Sequence, residues 1–285
     1  MIKNLKYFVQ AIVVYVFFLI GRILGVSFGR KIFSFLFLNF GLIFKSKDVI
    51  IKNLETFNNN LTKVEKEKII SNMWKNYGST FIEYIFLNYL RKSSKNFKII
   101  GKEIIENIIL QKKPVIFVSG HFSNFELMSM QITKMNIPLA TIYRPLNNIF
   151  LNPYMEYLRR KYVCKNQIKK GINGVRQAID YLKNGSSVAL MIDQRVSEGE
   201  RIDFFGKSAL TTTLPAQLAI KYNLNIIPVF IQRIEENNFE IKFFNPIYPS
   251  DYSNKLTLSI KLNETLEKMI RSNPNEWIWT HNRWK

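Results

Sequence analysis

This 285-residue chain has one cysteine, Cys164, and two histidines, His121 and His281. A single thiol cannot form an intrachain disulfide, and nothing in it speaks for an oxidising compartment. Two histidines without a cysteine cluster exclude a multi-histidine zinc site. Acidic residues are also few, 21 against 41 Lys and Arg, which leaves a net charge of +20. Such an excess implies an anionic partner: nucleic acid, acidic lipid headgroups or a phosphorylated substrate. No phosphate-cradling glycine loop is read, because Gly171-Ile-Asn-Gly174 lacks the spacing and no strand is expected before it. No Gly-x-Ser-x-Gly nucleophile elbow occurs, and no second histidine lies near His121 to complete a zinc-protease pattern. No repeat, low-complexity region or linker interrupts residues 46–285.

Long hydrophobic runs are missing as well. Tyr7–Ile20 is apolar except for Gln10, and Ile32–Phe44 forms a second run after Arg30-Lys31. Neither reaches the roughly 18–20 apolar residues of a simple bilayer span. No small-x-small cleavage site with a polar start behind it follows. Residues 1–45 are expected to form a membrane-associated helix or helix pair whose Lys and Arg heads reach lipid phosphates. A buried core helix and a single tilted span are the alternatives.

Hydrophobic residues make up 47 % of the chain, enough for a substantial core. From Pro114 onward short apolar runs alternate with helical segments. Strands are expected at 115–118, 139–143, 188–192, 226–231 and 239–244. Helices are expected at 124–135, 152–162, 174–183, 214–222 and 255–271. That alternation predicts an α/β fold, a single domain over 46–285 with a mixed central β-sheet covered by helices. Upstream, Thr62 and Glu65 form a capping-box pattern that opens a helix. Its aromatic face, through Trp74, Tyr77 and Phe81, is either core or the lining of an acyl-chain groove. Gly78 marks a bend or a close-packing point.

Four polar clusters fall at the expected strand ends, where open α/β sheets bind ligands. They are Gly120-His121 with Glu126, Tyr143-Arg144-Pro145-Leu146-Asn147, Asp193-Gln194, and Phe204-Phe205-Gly206-Lys207 with Thr211–Thr213. On a continuous helix His121 and Glu126 would lie about 140° apart. They converge only if His121 is in the turn and Glu126 in the first helical turn, a geometry that the Ser123–Glu126 capping-box pattern supports. Glu126 could equally be only a cap. The remaining chemistry is general base catalysis, in which a carboxylate fixes the imidazole tautomer and the imidazole takes a hydroxyl proton.

The run Gly120-His121-Phe-Ser-Asn-Phe-Glu126 resembles the His-x4-Asp/Glu motif of lipid-acylating transferases. The longer match is to the bacterial late lipid A acyltransferases, the lauroyl/myristoyl family. It adds Tyr143-Arg144-Pro145 with Asn147, Asp193-Gln194, Phe204–Lys207 with the following threonines, and Trp277-Ile-Trp279-Thr-His281-Asn-Arg283-Trp-Lys285. The resemblance implies an O-acyltransferase at the cytoplasmic face of a bacterial inner membrane, touching membrane lipids and no nucleic acid. Its donor would be acyl carrier protein or coenzyme A thioester, with no cofactor or metal. Its acceptor would be a hydroxyl on a lipid A precursor glycolipid. His121 would be the general base and Glu126 its orienting partner. Arg144 would hold a phosphate or the thioester oxyanion. Tyr143, Asn147, Asp193, Gln194, Ser123 and Asn124 would contact substrate, and His281 and Arg283 would be structural or at its edge. The basic run Arg159-Arg160-Lys161 with Lys165, Lys169 and Lys170 would dock acyl carrier protein, or sit at headgroups. Alternative readings are transfer to another glycolipid or to glycerol phosphate, and a non-enzymatic anionic-lipid or nucleic-acid binder.

Overall fold

A computed structural model of the protein describes residues 2–44, 46–235 and 237–285. The chain opens with α1 (Ile2–Phe44), inside which Gly25 sits at φ 77°, ψ 171°. A side chain would be strained there, so glycine permits a fold-back. Along a straight helix Phe17 and Phe33 would be about 24 Å apart at 1.5 Å per residue. Their rings are 5.6 Å apart, so α1 is a hairpin of two arms. The arms, Lys3–Leu24 and Val26–Ile43, are each long and apolar enough to cross a membrane. They exceed the two apolar runs because the helix takes in the Gly21-Arg22 and Arg30-Lys31 interruptions. Lys45, the expected boundary between anchor and domain, lies outside the described residues.

Residues 47–57 form α2 (Lys47–Phe57), which buries Ile50, Asn53, Leu54 and Phe57. That i, i+3, i+4, i+7 spacing is a helical stripe diluted by surface lysines. Next comes α3 (Lys63–Glu83), capped as expected: Thr62 accepts from the Glu65 N–H and Glu65 from the Thr62 N–H. Its aromatic face is core, covered by the α1 hairpin. A Cβ at Gly78 would lie 2.1 Å from the Phe33 carbonyl oxygen, so Gly78 is a close-packing point between helices.

A 3-10 turn (Tyr84–Phe86) and α4 (Leu87–Lys92) lead into the sheet region. The elements then run β1 (Phe97–Ile100), α5 (Lys102–Gln111), β2 (Ile116–Ser119), α6 (Glu126–Lys134), β3 (Leu139–Tyr143) and α7 (Asn152–Leu158). A π-turn (Arg159–Val163), β4 (Asn166–Lys169), α8 (Ile172–Lys183) and β5 (Ser187–Met191) follow. The chain continues through a hairpin of β6 (Glu200–Phe204) and β7 (Lys207–Thr211), then α9 (Leu214–Tyr222), β8 (Ile226–Arg233), β9 (Phe239–Phe243) and α10 (Lys255–Ser272). The seven-stranded sheet has the order β1-β9-β8-β2-β5-β3-β4. All its pairs are parallel except β8 with β9, so the sheet is mixed. Helices cover both faces, and the central strands therefore read as unbroken apolar runs. The edge strands β1 and β4 escape sequence reading because Phe-Lys-Ile-Ile is short and broken by a lysine and Asn-Gln-Ile-Lys is short and mostly polar.

Candidate active site

Parallel pairing decides what meets what. Neighbouring β2 and β5 end at Ser119 and Met191, so His121 and Asp193 emerge together at one sheet edge. Asp193 Oδ1 lies 2.7 Å from His121 Nδ1. Its Oδ2 accepts the His121 backbone N–H at 2.8 Å and the Trp277 indole N–H at 2.9 Å. Burial works to raise the Asp193 carboxyl, but the His121 charge and these N–H donors outweigh it and hold it at about 2. An ionised carboxylate only accepts, so Nδ1 carries the proton and Nε2 presents its lone pair. The His121 side chain is 19 % exposed, which leaves the ring within reach of a substrate. Burial works to lower its pKa, yet the Asp193 charge and hydrogen bond, with help from Glu126, raise it above the ordinary value.

Glu126 takes a different place from the one expected. Its Oε1 accepts from Tyr84 Oη at 2.7 Å and from Arg159 Nε at 2.7 Å, with the Arg159 Nη2 also 2.7 Å away. Its hydrogen bonds therefore go to Arg159 and Tyr84, and the carboxylate on His121 Nδ1 is Asp193. The local reason is the turn. The Ser123–Glu126 capping box does not form: Ser123 sits at φ 45°, and α6 begins only at Glu126, with Phe125 before it. Arg159 was expected in an exposed basic patch; it is buried instead, and among the described residues its Nη1 has no hydrogen-bond partner. Its guanidinium stands 5.6 Å from the Tyr143 ring.

The turn carrying His121 is held from below. Asn124 donates to Glu83 Oε2 at 2.8 Å, and Thr80 donates to the Ser123 carbonyl at 3.3 Å. Glu83 is fully buried and pairs with Arg30 from the α1 hairpin at 2.6 Å and with Arg233 from β8 at 2.7 Å. Burial works to raise its pKa, and the two guanidiniums outweigh it and hold it below the usual carboxylate range. On the other side the Ser123 N–H donates to the Glu276 carbonyl at 3.0 Å.

The remaining residues named from sequence separate into groups. Tyr143 lies beside Arg159 and donates its hydroxyl to Glu156. Burial and Glu156 push that hydroxyl above its ordinary value. Arg144 and Asn147 are exposed on the β3–α7 connection, and Gln194 is half-buried after Asp193. The fourth cluster forms the β6–β7 hairpin, which the C-terminal segment clamps. Arg283 donates to the Leu210 carbonyl and to Thr211 Oγ1, both at 2.6 Å, and Trp284 donates to the Phe204 carbonyl at 2.9 Å. Burial lowers the Arg283 pKa to about 10, with Asp193 opposing. His281 Nε2 accepts the Arg195 N–H at 3.0 Å and so steadies the loop that begins at Asp193.

Glu83, Tyr84 and Arg233 were not singled out from sequence, and Arg159 was named only as part of the basic run. Glu83 did leave a signal, since it is the lone charge between Lys75 and Arg91 and needs a partner when buried. Tyr84 left none, and nothing in the sequence set Arg159 apart from its basic neighbours.

Among protein-family models, that of the bacterial lipid A biosynthesis acyltransferases matches residues 2–285. The chain belongs to this family. It is an acyltransferase. Relatives include a lipid A biosynthesis palmitoleoyltransferase of Escherichia coli (strain K12), 23 % identical over 251 residues, covering 85 % of this acyltransferase and 79 % of that protein. A lipid A biosynthesis lauroyltransferase of the same strain is 23 % identical over 243 residues, 83 % and 78 % of the two chains. Among solved structures, a 1-acyl-sn-glycerophosphate (LPA) acyltransferase, PlsC, from Thermotoga maritima aligns at TM-score 0.42 and 16 % identity. That alignment covers 95 % of this acyltransferase and 99 % of that chain, and the score is too low to carry weight.

Proposed function

We propose that the acyltransferase moves a fatty acyl chain from an acyl carrier protein thioester, or less often a coenzyme A thioester, to a hydroxyl of a lipid A precursor. The observation that carries this reading is His121 Nε2, presented as a base by the ionised Asp193 behind it, with the charge of buried Arg159 felt at the imidazole. In the proposed step Nε2 takes the acceptor hydroxyl proton as that oxygen bonds to the thioester carbonyl carbon. The oxyanion that develops lies near the Arg159 Nη1 donor, where a preorganised N–H is worth about 3–4 kcal/mol of barrier. Collapse breaks the C–S bond, and the imidazolium returns its proton to the leaving thiolate. Glu126 anchors Arg159 for this role, and Arg144, exposed at the site's rim, suits an acceptor phosphate. No cofactor enters the scheme.

The α1 hairpin, with few residues of either arm buried, supports seating at the cytoplasmic face of a bacterial inner membrane. A charge of +20 suits an anionic leaflet, where each nearby Lys or Arg is worth about 1 kcal/mol. The test is transfer from acyl carrier protein and, separately, coenzyme A to a tetra-acyl, Kdo-bearing lipid A precursor, read by product mass. The expected product is heavier by one acyl chain and vanishes with His121→Ala. A His121→Ala enzyme at wild-type rate would sink the mechanism, and no product from either donor would sink the substrate assignment.

A further inference from the structure

The β3–α7 connection, residues 144–151, exposes three apolar side chains: Leu146 at 39 %, Ile149 at 56 % and Phe150 at 38 %. It is nevertheless tightly built. Buried Asn148 accepts the Phe150 and Leu151 N–H groups through Oδ1, at 3.0 and 3.3 Å, and Asn152 accepts the Leu146 N–H at 2.8 Å. A connection braced by its own asparagines to hold apolar side chains in water is costly unless something covers them.

The loop is seated on the first arm of α1. Asn148 donates to the Tyr7 carbonyl at 2.8 Å, and Tyr15 donates to the Phe150 carbonyl at 2.9 Å. The Phe150 and Phe8 rings meet edge to face at 5.4 Å. Around these contacts the arm exposes Phe8, Val9, Ile12, Val13 and Val16, so loop and helix share one apolar surface. Exposed Lys3, Lys6 and Arg144 flank the two elements with positive charge. At its other end the loop begins at Tyr143, against Arg159 of the candidate site.

We propose that residues 144–151 form a second membrane-contact element, in which Leu146, Ile149 and Phe150 enter the lipid interface beside the first arm of α1. Continuity with that arm and the flanking cations select an anionic bilayer as the occupant. The inference rests on the reading of α1 as membrane-seated. Its consequence is that the bilayer surface lies at the rim of the site, so that a lipid-borne acceptor arrives from the membrane.

The native Cys164 thiol is buried, so nitroxide labels can be directed to introduced cysteines. Leu146→Cys, Ile149→Cys, Val13→Cys and Asn184→Cys are labelled singly in the full chain. Each is reconstituted in phosphatidylethanolamine/phosphatidylglycerol vesicles. Relaxation by oxygen is then compared with relaxation by a water-soluble nickel chelate. The expected result is that labels at 146, 149 and 13 favour oxygen severalfold over the label at exposed Asn184. Nickel-accessible labels at 146 and 149 beside an oxygen-favouring label at 13 would overturn the inference and leave the α1 reading standing. A nickel-accessible label at 13 would remove the α1 reading and this inference with it. Dipolar broadening between copies, or protection that appears only on adding acyl carrier protein, would assign the patch to a protein and overturn the inference.

Discussion

Replacing Asp193 by Asn separates the two carboxylates near His121. Asn keeps one acceptor oxygen and puts an amide in place of the other. The Oδ2 position faces two N–H donors, the His121 backbone and the Trp277 indole. An amide NH2 turned there would oppose both, and each buried donor left unpaired costs about 1–3 kcal/mol. The oxygen therefore stays at that position and the NH2 faces His121 Nδ1. Nδ1 must then accept, the imidazole proton moves to Nε2, and the base is lost. A wrong tautomer behind a catalytic histidine costs up to about 10⁴ in rate, and loss of general base catalysis about 10²–10⁴. Asp193→Asn is thus expected to lower single-turnover acyl transfer by about 10²–10⁴. With two histidines in the chain, ¹⁵N imidazole spectra read the tautomer directly. His281, whose Nε2 accepts the Arg195 N–H, keeps its proton on Nδ1 in both proteins, while His121 switches. Glu126→Gln leaves the His121 tautomer unchanged and lowers the rate through Arg159. A rate within about threefold of wild type for Asp193→Asn, or an unchanged His121 tautomer, would refute the argument.

The pH–rate profile follows from the same pair. A protonated imidazole cannot take a proton and the folded-state pKa is raised, so transfer should fall with acid along a limb centred above 6.5. A limb centred below 6.5 would contradict the Asp193 contact. The same shift makes His121 stabilising below about 6.5, a contribution lost as pH rises through the raised value. Glu83→Ala takes the carboxylate away from buried Arg30, and denaturant titration should show a loss of about 3–5 kcal/mol, with a smaller loss for Glu83→Gln. Equal, small losses for both would mean that the network is not ionic. Gly78→Ala places a methyl 2.1 Å from the Phe33 carbonyl oxygen. It should cost about 1–3 kcal/mol as overpacking, and limited proteolysis should cut the α1 hairpin faster; unchanged cleavage would contradict the close packing.

Elements whose signal is local could be read directly from the chain. Strand 139–143, helix 214–222 and the Thr62–Glu65 cap are set by neighbouring residues alone, and each forms where the pattern puts it. The glycine-histidine turn and the polar residues after three parallel strands were visible for the same reason. Elements that depend on distant partners were hidden. The edge strands β1 and β4 acquire their identity from pairing with β9 and β3. The two apolar runs become a hairpin because Gly25 breaks the helix and α3 receives the arms. The site shows the contrast most sharply. His121 and Glu126 are five residues apart in sequence, and that closeness suggested a pair. The histidine's partner lies 72 residues away and arrives because β5 pairs beside β2, while Glu126 turns to an arginine 33 residues away. Sequence by itself determined which chemical groups sit at the sheet edge. Only the tertiary structure decided which of them touch, because a hydrogen bond depends on strand order and on the backbone angles of the turn between β2 and α6, and neither is encoded by spacing.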